Sequence, residues 1–120
     1  SLGPYGTGIS LMMSHLSTLL QRLKNTTDGS LGDNVLDNTV LFASSDCSTG
    51  WNHSIANQPM LVCGKGGGRL VYPGIHLHST NGRNCSDGTL AAAKAATPEL
   101  MEMGAGEPYS NTPAAELYIG

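Results

Sequence analysis

The first third of the chain carries an apolar stripe at helical spacing. Its members recur three and four positions apart and are Leu11, Met12, His15, Leu16, Leu19, Leu20 and Leu23. This period predicts an amphipathic helix of about four turns. Ser10 is placed to cap its start, and Lys24 suits the negative pole at its end. His15 lies on or beside the stripe, where a half-buried, hydrogen-bonded side chain is expected.

Two short apolar runs predict strands. Thr39–Ser44 is rich in β-branched and aromatic residues, as expected for a strand buried on both faces, and Met60–Cys63 is a second such run. Helix, buried strand, long loop and buried strand form the pattern of an α/β sheet flanked by helices. The sequence therefore predicts an α/β fold with a mostly parallel sheet and long glycine-rich loops.

Glycine and histidine residues follow the second strand. Gly64–Arg69 invites comparison with a phosphate-binding loop, but the required Gly-Lys-Ser/Thr opening a helix is missing, so a flexible turn is expected. Ile75–His78 alternates apolar and polar residues and predicts a strand with both histidines on one face. That face is expected to be solvated, although two imidazoles at this spacing can also share a metal ion.

The last third of the chain changes in composition. Residues 79–110 are rich in Asn, Gly, Ala and Ser and are interpreted as a loop-rich insertion within a single domain spanning residues 1–120. One short helix is predicted there over Leu90–Ala96, closed by Pro98. Pro113 is then expected to open a final helix over Ala114–Ile119.

Composition and charge exclude several classes of protein. The chain has 120 residues, of which 12 % are charged and 16 are glycine, and its formal net charge is −3. It is therefore neither a charged disordered tail nor a basic nucleic-acid-binding protein. No apolar run approaches the roughly 18 residues of a membrane span. Because the apolar segment at Leu117–Ile119 runs to the end, we expect a part of a larger domain.

The three cysteines favour free or buried thiols. Cys47, Cys63 and Cys85 are an odd number without a C-x-x-C pair, which argues against a disulfide scaffold and a zinc ribbon. At most one internal disulfide is possible, and the sequence leaves open whether one forms.

The segment with the most chemical potential follows the first predicted strand. Ligands of open α/β sheets bind at the carboxyl ends of strands, where this polar loop begins. Asp46 offers an oxygen, His53 a nitrogen and Cys47 a thiolate, so two or three of them could bind zinc or a similar divalent ion. The alternative is an Asx-type turn, in which Asp46 satisfies loop amides and His53 is hydrogen-bonded at the surface.

A series of linked segments resembles a known family. The resemblance covers most of residues 15–78 and 111–119, and 81–109 looks longer than the family's usual connection. The segments are Gly29–Leu31, Leu36–Phe42, Ser45–Asp46, Trp51–Ser54, Asn57–Val62, Gly64–Gly68, Pro73–Leu77 and Thr112–Tyr118. They look like the C-terminal part of an uncharacterised exported bacterial family, the domain-of-unknown-function 1552 family. That family in turn resembles the alkaline phosphatase and sulfatase superfamily.

This resemblance implies a fold and a metal site. The superfamily has an α/β/α sandwich in which a strand ends in an Asp-His metal pair and a further histidine follows. Asp46 matches the aspartate and His53 the later histidine, whereas Cys47 stands where the first histidine would be. The superfamily's nucleophile and first metal carboxylate lie upstream of the matched segments and have no counterpart here.

The resemblance also implies a function and a location. It indicates the C-terminal part of an exported protein, periplasmic or extracellular, that acts as a structural or binding subunit without a complete catalytic apparatus. Its partners would be the remainder of its own polypeptide or other protein subunits. The alternative is a part of a metal-dependent hydrolase of phosphate or sulfate esters. Such chemistry needs a nucleophile and a metal in one place.

Overall fold

The computed structural model describes residues 3–29, 33–71, 74–79, 82–106 and 109–119. These residues form a mixed α/β structure. Its elements are helix α1 (Pro4–Lys24), strand β1 (Leu41–Ser44), strand β2 (Met60–Cys63), a 3-10 turn (Gly66–Gly68) and helix α2 (Cys85–Ala96). Among the described helices, neither is both long enough and apolar enough to cross a membrane.

Helix α1 confirms the helix predicted from the apolar stripe but begins earlier. Pro4 lies in its first turn, where the fixed φ of proline is favourable and the missing N–H costs nothing. The prediction that Ser10 caps the helix is wrong, because Ser10 lies inside it and its carbonyl accepts a hydrogen bond from Ser14 Oγ at 3.0 Å. Arg22 and Lys24 occupy the last turn, where their positive charges interact favourably with the negative end of the helix dipole.

Strands β1 and β2 form a two-stranded antiparallel sheet. Leu41 pairs with Cys63 and Ser44 with Met60. The second strand is confirmed as predicted and the first is confirmed except that it begins at Leu41 rather than Thr39, but the predicted parallel pairing is wrong. A parallel connection needs a crossover, usually a helix, whereas residues 45–59 form turns that bring the chain back beside β1. Burial on both faces is also wrong, because Phe42 and Leu61 are exposed.

The core of the described residues is small and lies around α2. The buried apolar residues are Leu70, Leu90, Ala91, Ala92, Ala95 and Ala114. The predicted helix over Leu90–Ala96 is confirmed at its end, but it starts at Cys85, where the Asn84 side chain accepts a hydrogen bond from Ser86 N–H at 3.0 Å. The small alanine side chains of α2 allow the glycine-rich turn to approach this helix closely. A Cβ on Gly66 would lie only 2.9 Å from Ala95 Cβ.

Polar contacts attach residues 110–116 to the start of α2. The buried Ser110 donates from Oγ to Asp87 Oδ1 at 2.6 Å, and Ala114 N–H donates to the Asp87 carbonyl at 2.9 Å. Arg83 Nε lies 3.8 Å from Asp87 Oδ2, and its Nη1 lies 2.7 Å from Glu116 Oε2. These contacts join residues 110–116 to the N-terminal end of α2 and make the segment part of the folded body.

Two predicted elements are not formed. The helix expected over Ala114–Ile119 is a single turn, after which Tyr118 forms an antiparallel bridge with Leu70. Non-local hydrogen bonds account for this, since Ala114 N–H donates to the Asp87 carbonyl and Ile119 N–H to the Arg69 carbonyl. In addition, a helix of six residues is too short to offset the free-energy cost of its nucleation. The segment 74–79 is exposed and irregular, so the predicted strand Ile75–His78 is also wrong.

The chain leaves β2 through a glycine at a crowded position. Gly64 has φ +93°, and a Cβ there would overlap the Thr39 carbonyl oxygen and lie 2.9 Å from that of Leu36. The next residue, Lys65, donates its N–H to that Leu36 carbonyl. The close approach of two backbone segments therefore depends on the absence of a side chain at residue 64.

We expect Gly64→Ala to lower the free energy of unfolding by more than about 3 kcal/mol, because it adds steric overlap to the strain of a positive φ. Gly68→Ala is the matched control, since Gly68 has φ +89° and nothing within 4 Å of its Cβ position. The control should lose only about 1–2 kcal/mol. Urea unfolding followed by circular dichroism measures both values. Equal losses in the two variants would contradict the packing described at Gly64.

Candidate functional site

The loop between β1 and β2 is held by its own hydrogen bonds. Ser48 donates from both its N–H and its Oγ to the Ser54 carbonyl, each at 2.8 Å. Asn52 Oδ1 accepts a hydrogen bond from Ser54 N–H at 3.1 Å, which makes an Asx turn. His53 lies exposed within this turn at φ +52°. The loop thus contains an Asx turn, but Asn52 forms it and not Asp46, the residue predicted to do so.

Asp46 and Cys47 act on each other directly. The Cys47 thiol donates to the Asp46 carboxylate, and with Ser45 Oγ at 3.3 Å it holds the pKa of Asp46 below its usual range. Partial desolvation and the Asp46 charge raise the pKa of Cys47. Asp46 is therefore ionised and Cys47 protonated at neutral pH. This arrangement disfavours the thiolate that a soft-metal site needs.

The donor set at this loop fits a metal ion only in part. Structural zinc sites take four protein ligands, and catalytic sites take three. Within the described residues, no three His, Cys, Asp or Glu side chains lie close enough together to hold one ion. A metal bound through Asp46 and His53 would therefore need donors from beyond these residues. Both remain the predicted ligands, and His76 and His78 lie in the exposed segment 74–79.

The glycine-rich segment after β2 has no free cradle of amides. The N–H groups of residues 65 to 70 all donate to backbone carbonyls, among them those of Leu36, Asp37 and Thr39. Lys65 Nζ forms an ion pair with Asp37 at 3.0 Å. Phosphate binding in such a loop needs unsatisfied N–H groups, so the segment serves as a connecting turn, as expected.

Among the described residues, one face of α1 carries several exposed large apolar side chains. Tyr5 is 90 % exposed, Ile9 60 % and Met12 65 %, and no residue of the helix is buried. Together with Pro4 and Gly8 they line a shallow apolar groove. The sequence interpretation missed Tyr5 and Ile9 because it began the helix at Leu11. Proline at the first helical position, followed by apolar residues at spacings of four and three, is the signal that finds them.

Two smaller apolar features lie elsewhere. Trp51 and Ile55 are exposed on the loop that follows β1. A shallow cleft also runs between β1 and α2, lined by Val40, Phe42, Thr89, Ala92, Ala93 and Ala96. The cleft contains one polar side chain and no charge, so it offers contact area rather than a reactive group. Both features are apolar surface separate from the groove on α1.

The mutual effect of Asp46 and Cys47 gives a test of the loop geometry. Asp46→Asn removes the charge that helps to raise the pKa of Cys47, so its thiolate fraction at pH 8 should increase. We expect Cys47 to react severalfold faster with iodoacetamide in this variant, measured by mass spectrometry of the labelled peptides. Cys63 is the internal control, because its raised pKa comes from burial alone. An unchanged Cys47 rate, or an equal rise at Cys63, would contradict the contact.

Comparisons with known proteins add no relative. No family model, no curated protein and no solved structure matches this chain. The resemblance to an exported bacterial family and to the alkaline phosphatase superfamily therefore stays a prediction from the sequence.

Proposed function

We propose that this chain is a structural or binding part of a larger exported bacterial protein and that it works by packing the apolar face of α1 against protein. The observation that carries this proposal is a helix of 21 residues with no buried residue. Helices of folded proteins bury one stripe of side chains, and this stripe is what stabilises them. A face that is left uncovered in one chain is available for another surface.

The composition of α1 supports the same proposal. Between Pro4 and Gln21 the helix contains no Asp, Glu, Lys or Arg. A solvent-exposed helix normally carries charged residues on the side that faces water. Large exposed apolar patches mark interaction surfaces in soluble proteins. The exposed groove at Tyr5, Ile9 and Met12 combines both properties, because it is apolar and has no charged rim in the helix.

The partner in this proposal is the remainder of the same polypeptide or another protein subunit. The family resemblance supports an alkaline-phosphatase-like sandwich for the whole protein, in which further strands and helices would cover the faces that are exposed in this chain. It also supports a periplasmic or extracellular location. A sheet of only two strands is marginally stable, which is a further reason to expect another surface to cover β1 and β2.

Methionine oxidation tests whether the α1 face is covered. Met12 is 65 % exposed and Met101 71 %, so the two thioethers should react with peroxide at similar rates in the isolated chain, kept monomeric at concentrations far below micromolar. In the longest natural form of the protein, with its native partners, we expect Met12 to react severalfold more slowly while Met101 is unchanged. Peptide mass spectrometry measures both. Equal reactivity of Met12 in the two preparations would overturn the proposed function.

A second candidate function is participation in a metal-dependent hydrolase of phosphate or sulfate esters. Asp46 favours it, since it follows the end of β1, is exposed and has a lowered pKa, so its carboxylate is available as a ligand. Zinc or another divalent ion would be the cofactor. Further ligands and the nucleophile would come from the remainder of the protein.

Zinc titration of the longest natural form tests this candidate. Asp46→Ala and His53→Ala should each weaken zinc binding by more than about tenfold if both side chains bind the ion. His76→Ala is the matched control, because His76 is an exposed histidine in the segment 74–79. Isothermal calorimetry measures the three affinities. Equal effects of all three substitutions, or no stoichiometric zinc at all, would remove the hydrolase candidate.

A further inference from the structure

The apolar residues of α1 follow the spacing of a coiled coil. With the helix starting at Pro4, the seam residues are Tyr5, Ile9, Met12, Leu16, Leu19 and Leu23, which lie alternately four and three positions apart. This is a 3.5-residue period maintained over nearly three heptads. Such a period is typical of a seam between two helices, and Met13 and Leu20 lie along one edge of this seam.

We propose that α1 pairs along this seam with α1 of a second copy of the chain, in an antiparallel two-helix contact. The proposal rests on the proposed function and names the partner of the α1 face. The N-terminal half of one seam, with Tyr5, Ile9 and Met12, packs on the C-terminal half of the other, with Leu16 and Leu19. The most exposed seam residues of each copy thus meet the less exposed ones of its partner.

The distribution of charge favours the antiparallel direction. The charged residues of α1 are Arg22 and Lys24, both in its last turn, and it has no acidic residue. A parallel pair would place these four cations together and align the two helix dipoles. An antiparallel pair separates the cations by the length of the helix and opposes the dipoles. Like charges at a coiled-coil margin weaken pairing, so the antiparallel pair is the more stable.

Small residues beside the seam permit close contact at the exposed end. Gly6 and Gly8 flank Tyr5 and Ile9, and an ideal Cβ on Gly8 meets nothing within 4 Å. The groove between Tyr5 and Ile9 is therefore open to a large side chain. Leu19 of a second copy has the size and apolar character to enter it.

The area of the seam fits a reversible dimer. Burial of Tyr5 removes about 150–200 Å² from water, and each half-exposed Ile, Met or Leu contributes roughly 60–100 Å². The seam then covers on the order of 500 Å² per copy and about 1,000 Å² in total, which is close to the lower bound of specific protein interfaces. We expect dissociation constants in the micromolar range.

Sedimentation of the chain over a concentration series tests the pairing. The chain should form a dimer whose dissociation constant rises by more than about tenfold in Ile9→Lys. Leu11→Lys is the matched control, because Leu11 is 59 % exposed against 60 % for Ile9 but lies away from the seam. It should dimerise like the unchanged chain. Circular dichroism shows that α1 is retained in each variant.

Mixing two variants tests the direction of the pair. In the antiparallel contact residue 9 of one copy meets residue 19 of the other, so Ile9→Lys should pair with Leu19→Glu and regain a dimer. A parallel contact would instead let Ile9→Lys pair with Ile9→Glu. Recovery of the dimer in the second mixture and not in the first would overturn the antiparallel assignment.

The outcomes separate this inference from the function on which it rests. The chain must dimerise at concentrations about 100 times the expected micromolar dissociation constant. If it is still monomeric there, with α1 folded, a second copy is not the partner of α1. An equal loss of dimer in Ile9→Lys and Leu11→Lys also overturns the seam. Protection of Met12 in the natural protein would then still support a different covering surface. Absence of that protection overturns the proposed function itself.

Discussion

The described structure depends on the close contact between α2 and the glycine-rich turn after β2. Gly66 approaches Ala95 so closely that neither position can hold a larger side chain without displacement. Leu90 is fully buried in the same region, and the bridge between Leu70 and Tyr118 closes it. Because interiors are packed to crystal-like density, a core made largely of alanine and glycine requires this short distance. The sheet and the last segment of the chain are positioned by that contact.

A core of this size accounts for the large share of surface left uncovered. Six apolar residues are buried among the described ones, and four of them are alanines. Alanine removes little apolar area from water, so the hydrophobic contribution of the core is modest. Polar contacts add to it, above all the Ser110–Asp87 hydrogen bond and the capping of α2 by Asn84. Among the described residues, α1 carries more of the exposed large apolar side chains than any other element, and these lie outside the core.

Local features could be predicted from the sequence, and non-local ones could not. The strand Met60–Cys63 and the central part of both helices follow from short-range apolar patterns. The direction of pairing depends on the path of residues 45–59, which no pattern within β1 or β2 encodes. The terminal helix failed for the same reason, since its first amide is bound by Asp87, 27 positions earlier in the chain. Its local propensity was overridden by a contact that forms only in the folded state.

The candidate site shows the same division. That the loop after β1 would be polar and turn-forming could be predicted from its composition, and the Asx turn at Asn52 agrees with it. That Cys47 would donate to Asp46 could not, because it depends on the conformation of the loop. This contact shifts the two groups in opposite directions, since it lowers the pKa of the Asp46 carboxyl and raises the pKa of the Cys47 thiol.

The α1 face shows why the start of a helix matters for function. A helix that began at Leu11 would present its apolar residues as a stripe to be buried within its own domain. The seven additional residues from Pro4 to Ser10 bring Tyr5 and Ile9 into the same row and extend that stripe into a seam of regular 3.5-residue period. No residue of α1 is buried among the described residues, so the core around α2 leaves this seam uncovered. Contact with protein beyond this core would bury the seam and stabilise α1, and this is the physical argument for association as the proposed function.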